Sequence, residues 1–95
     1  MHKLNQNNHD PALLAIQALA WALGDDSRAQ RLLSLTGLTP EGLRAGIGEA
    51  GLQAAVLGFL ESHEPDLLAC AIAIDVSPAA LVAARRQLDG AELYD

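Results

Sequence analysis

The sequence predicts an all-α protein, a compact bundle of five to six short helices with two helix-turn-helix-like corners. Three observations lead there. Leu52, Ala55, Val56, Phe59 and Leu60 recur at the i, i+3, i+4, i+7, i+8 spacing of one helix face, followed after a short polar run by the uncharged segment Leu67 to Ile74. Half of the 95 residues are hydrophobic, yet only Trp21, Phe59 and Tyr94 are aromatic. The apolar mass is therefore rich in Leu and Ala, which favour helices, and no long run alternates with the period of a strand. Finally, Gly37-Leu38-Thr39-Pro40 and Asp75-Val76-Ser77-Pro78 repeat one turn grammar, in which a helix ends and another starts at once.

Taken in order, residues 1–9 are polar, Asn-rich and aperiodic, and are expected to form a flexible tail. A single helical domain follows over residues 10–90. Its first helix is predicted over 11–23, with Asp10 as N-cap, Pro11 at the first helical position and Gly24 as its end. Leu13, Ile16, Ala20 and Leu23 fit one face, so the apolar run reads as a core helix. Asp10, Pro11 and the interrupting Gln17 argue against a secretory signal, and the run is too short for a bilayer. A second helix is expected over 26–36, with Ala29, Leu32 and Leu33 inward and Arg28, Gln30 and Arg31 toward water. Gly37 should close it in the left-handed conformation. Thr39 then caps a short, glycine-weakened third helix over 40–47, with Leu38 and Leu43 spaced as a hydrophobic staple. The hairpin arms follow at 50–61 and 65–74. A last helix at 78–89 turns Leu81, Ala84 and Leu88 inward and is expected to close at Gly90, leaving 91–95 frayed.

Charge and chemistry restrict function. Twelve acidic against six basic side chains give a formal net charge of −6, which opposes binding to nucleic acid phosphates. Arg85 and Arg86 are the only adjacent basic pair, and they are the nucleic-acid-binding residues of the alternative reading, an acidic helix-turn-helix-type regulator that binds DNA through one of the two corners. Cys70 is the sole cysteine, so no internal disulfide forms; it reads as a small buried hydrophobe in a reducing, cytoplasmic setting. His63, Glu64 and Asp66 cluster before the second arm but lack the second histidine that a metal-binding helix needs. His2 and His9 fall in the tail. Gly42 to Gly48 lacks the preceding strand and following lysine of a phosphate-binding loop. No catalytic, cofactor-binding or metal-binding residues, no membrane contact and no small-molecule ligand are expected.

One set of short motifs has a family likeness. Ile16-Gln17-Ala18-Leu19, Arg31 to Leu38, Leu43-Arg44, and Val56-Leu57-Gly58-Phe59-Leu60 followed by Glu64 and Leu67-Leu68 resemble, in order and spacing, the bacterial domain-of-unknown-function family 3572. Gly58 stands where the family pattern has an acidic residue. The resemblance implies a small helical bacterial protein with no assigned activity, and so transfers no functional residue.

The functional expectation rests on surplus. The first helix offers Leu13, Leu14, Ile16, Leu19, Trp21 and Leu23, more apolar directions than one face of a small bundle uses. The chain is accordingly read as a protein–protein interaction module, self-associating or docking to another protein. Trp21 is the expected anchor, with Leu14 and Gln17 beside it.

Overall fold

The computed structural model describes residues 10–94. Six helices follow one another: α1 (Pro11–Leu23), α2 (Asp26–Thr36), α3 (Pro40–Gly46), α4 (Ala50–Glu61), α5 (Glu64–Ala73) and α6 (Pro78–Tyr94). No strand occurs among the described residues. The predicted tail over 1–9, with its two histidines, lies outside them, as does Asp95.

The expected caps are made. Asp10 accepts from the Ala12 N–H at 3.1 Å and Asp25 from the Arg28 N–H at 3.0 Å. Thr39 accepts from Gly42 N–H at 3.0 Å and Ser77 from Ala80 N–H at 3.1 Å. Each satisfies a first-turn donor that has no partner inside its helix. Gly37 takes φ 73°, and its N–H bonds the Leu33 carbonyl at 2.9 Å, so α2 stops by a left-handed cap. Gly37→Ala is expected to lower stability by about 1 kcal/mol, since a Cβ is strained in that conformation even where space is open. Thermal denaturation checks this, with a midpoint lower by roughly 4–8 °C.

The second corner reaches the same end with a different residue. Asp75, at φ 63°, is the one non-glycine residue with positive φ among those described. The Val76 N–H bonds Ala71 O at 2.9 Å and Asp75 N–H bonds Ile72 O at 3.2 Å, the paired bonds of a Schellman motif. The axes of α5 and α6 consequently meet at 103°. No single described helix is long and apolar enough to cross a membrane.

Apart from one-residue shifts in α3 and α5, one boundary and one buried face depart from expectation. α6 does not close at Gly90; it continues to Tyr94, because a glycine permits a left-handed stop without requiring one, and among the described glycines Gly37 alone takes a positive φ. Residues 91–94 are thus helical and not frayed. In α4 the buried face is rotated from the predicted one: Ala55 is exposed, while Gln53, Ala54, Val56, Leu57, Phe59 and Leu60 are buried. Gln53 is tolerated inside because its amide donates to the Ile47 carbonyl at 2.7 Å, tying α4 to the loop before it.

The core is centred on α4, which packs most extensively against α6 and also against α1. Leu14, Leu32, Leu57, Leu60 and Leu81 are its largest fully buried side chains, contributed by four helices. On the other flank of the α4–α6 contact, Arg85 hydrogen-bonds both Glu61 and Asp89. Those bonds, Glu61 first, raise the Arg85 guanidinium above the usual arginine range and keep it charged.

Candidate interaction surface

α1 has apolar residues on all sides, and the structure shows which of them the bundle uses. Leu14, Ala15, Ala18, Leu19 and Ala22 are buried. Three alanines on that face let α4 and α6 approach closely, since interaxial distance depends on side-chain size at the contact. The opposite face, Leu13, Ile16, Gln17, Ala20 and Leu23, is exposed. Leu13 is 38% accessible, and Ile16 and Leu23 are each 45% accessible. These residues form one stripe about 15 Å long at helical spacing.

This reverses the expected orientation. Leu13, Ile16, Ala20 and Leu23, read as the core face, point outward; Leu14, read as part of the partner surface, is 1% exposed and belongs to the core. Counting apolar residues could not distinguish the two faces, because both are apolar and only side-chain volume separates them. Gln17 is exposed as expected, in the middle of the stripe.

Trp21 lies between the two faces, half-buried and already covered. The Arg28 guanidinium sits 3.8 Å from the centre of its ring and donates to the Trp21 carbonyl at 3.2 Å. Arg28, predicted to face water, is thereby folded against α1. Its buried Nε has no hydrogen-bond partner among the described residues, and the π face of Trp21 supplies the compensating attraction. One turn further along α2, Arg31 lies 5.5 Å from the Phe59 ring centre and bonds Asp66 at 2.8 Å, joining α2 to the start of α5. Asp66, grouped in the sequence with His63 and Glu64, is thus a buried anchor between helices.

Beside the stripe, α1, α2 and α3 enclose a half-open pocket of about 260 Å³ lined by Leu19, Leu23, Leu33, Pro40, Leu43, Arg44 and Ile47. Leu23 belongs to both features. α5 shows a second, shorter apolar face, where Leu68 is partly exposed and Ile72 is 82% accessible.

The remaining candidates are separated by the fold. Arg85 is held by two carboxylates, whereas Arg86 is exposed and makes no ion pair among the described residues. The exposed residues of the first turns of α6 include Ala79 and Ala83, with no polar reach toward base edges. Cys70 is fully buried, and burial pushes its thiol up to about 11, with Arg28 pulling it down and Asp66 adding to the rise. A thiol so protonated is not a nucleophile at neutral pH. Among the described residues no three His, Cys, Asp or Glu side chains are gathered as metal ligands.

Six helices around one Leu- and Ala-rich core, with an apolar helix face and a small pocket open to solvent, define a small all-α helical-bundle protein. The chain belongs to the family described as "Protein of unknown function (DUF3572)", whose model matches residues 8–91. Neither the curated proteins nor the solved structures contain a match to it.

Proposed function

We propose that this chain is a non-catalytic interaction module that pairs with a second copy of itself through the outer face of α1. The observation that carries the reading is the exposed stripe of Leu13, Ile16, Gln17, Ala20 and Leu23, which holds no charge in a chain of net charge −6. A two-fold interface lays the same patch on itself, so charged patches of one sign would repel whereas an uncharged one needs no complement. Gln17 at the centre offers both a donor and an acceptor to the same residue of the second copy. The anchors are Ile16 and Leu23, since Trp21 is engaged by Arg28 within its own chain. A cytoplasmic setting belongs to the same reading, supported by the single free thiol.

A stripe of this length is small beside the ~800 Å² per partner of an ordinary stable interface, so modest affinity is expected. Light scattering on a dilution series from roughly 1 to 500 μM should show the mass rise from 10.0 kDa toward twice that value. Ile16→Glu should hold the chain monomeric throughout, by burying an unpaired charge in the interface. Ile72→Glu, on the exposed face of α5, should leave pairing intact. A native chain that stays monomeric over the series, or pairing lost equally with both variants, would overturn the proposal.

A further inference from the structure

The pocket between α1, α2 and α3 has a composition that suits a particular ligand. Six of its seven lining residues are apolar, and the seventh, Arg44, is exposed. Among the described residues Arg44 has no carboxylate within 4.0 Å, unlike Arg31 and Arg85. An apolar wall with one convergent polar group is the usual make-up of a small-molecule site, in which apolar surface supplies affinity and the polar group sets orientation. At about 260 Å³ the pocket is smaller than the ~300–1,000 Å³ of drug-sized sites. Allowing about 30 Å³ per small group, the share of one water in the liquid, it holds on the order of eight or nine non-hydrogen atoms.

From this we infer that the pocket binds a short aliphatic monocarboxylate, with the alkyl chain among Leu19, Leu33, Leu43 and Ile47 and the carboxylate on the Arg44 guanidinium. A planar guanidinium pairs with a carboxylate through two parallel hydrogen bonds. One unpaired arginine balances one negative charge, and in a chain of net charge −6 a phosphate dianion would meet more repulsion than it gains. The apolar lining excludes short polar acids, which would leave the pocket walls exposed to water.

The test is a two-dimensional NMR titration of the whole chain with the saturated acids from butanoate to dodecanoate, and with octanol and octyl phosphate as controls. Shifts should localise to Leu19, Leu33, Leu43 and Ile47 and saturate. Affinity should rise about fourfold per added methylene, the gain from burying one such group, and level off near eight carbons as the pocket fills. Octanoate should bind more tightly than octanol or octyl phosphate. Arg44→Gln, at an exposed position where folding is not at stake, should weaken octanoate about tenfold and leave octanol unchanged. Shifts that fail to saturate, shifts scattered over other helices, octanol equal to octanoate on the native chain, tighter binding of octyl phosphate, or an Arg44→Gln variant that binds octanoate as the native chain does would each overturn the inference.

Discussion

Leu14→Ala is expected to destabilise the fold by about 3 kcal/mol, while Ile16→Ala, two residues away on the same helix, should cost less than about 1 kcal/mol. Leu14 is 1% exposed within a core shared by α1, α4 and α6, so truncating it removes transfer free energy and leaves a cavity that the packed helices close only in part. Ile16 is nearly half accessible in the single chain, so it has little burial to lose and leaves no cavity. In a domain of this size the first change should lower the thermal midpoint by more than 10 °C and the second by a few degrees. Denaturant unfolding at low micromolar concentration, where the chain is monomeric, measures both. Equal losses, or a larger loss for Ile16, would show that α1 sits on the bundle with its other face inward and would remove the exposed stripe altogether.

That pair of residues also separates what is local in this chain from what is not. Helix limits are local, so they were legible. Asp10-Pro11, Thr39-Pro40 and Ser77-Pro78 announce their caps through side chains that act within three residues, and Gly37 announces a left-handed turn. Facing is not local. In α1 both sides are apolar, and the choice depends on Ala15, Ala18 and Ala22 fitting against α4 and α6, which no property of α1 alone records. Gln53 was invisible as a core residue for the same reason: its partner, the Ile47 carbonyl, comes from the preceding loop. The Gly90 stop failed in the opposite sense, since glycine permits a left-handed turn without requiring one.

The candidate surfaces show a similar division. That α1 carries more apolar side chains than a bundle uses could be counted, and the exposed stripe is that surplus. Which residues make it up cannot be counted: Leu14 reads as partner surface and lies in the core, while Ile16 and Leu23 fit the face of a core helix and lie outside it. The pocket had no sequence signature at all. Its walls come from three helices spread over nearly thirty positions, and Arg44 gains meaning only because Leu19 and Leu33 are brought beside it. In the sequence it was a lone arginine among glycines. The reverse holds for Arg85 and Arg86, adjacent in the chain but divided by the fold, one held by Glu61 and Asp89 and the other exposed.

Alkaline pH should weaken this protein through the buried Cys70 thiol. Cys70 is fully buried, and its thiol is raised from 9.0 to about 11, chiefly by desolvation of the thiolate. In the unfolded chain the thiol titrates near that ordinary value of 9.0. Between those two pH values the folded state holds a proton that the unfolded state has released, so stability falls as pH rises. Cys70 imposes no pH dependence below about 8 and a cost on the order of 2 kcal/mol by pH 11, since each unit of separation is worth about 1.4 kcal/mol. Every other ionisable group is common to the native chain and to a Cys70→Ala variant. The difference between the two therefore isolates the thiol. Urea unfolding at pH 7.5, 9, 10 and 11 should give a pH-independent offset for Cys70→Ala from its lost packing, and a native curve that falls toward or below the variant's at the alkaline end. Thiol-specific reagents at pH 8 should label Cys70 slowly in the folded chain and fast in urea, since the thiolate is the reactive form and the core denies it access. Parallel curves for the two proteins across this range, or rapid labelling without denaturant, would mean that the α5 face carrying Cys70 is open to water and not packed against the core.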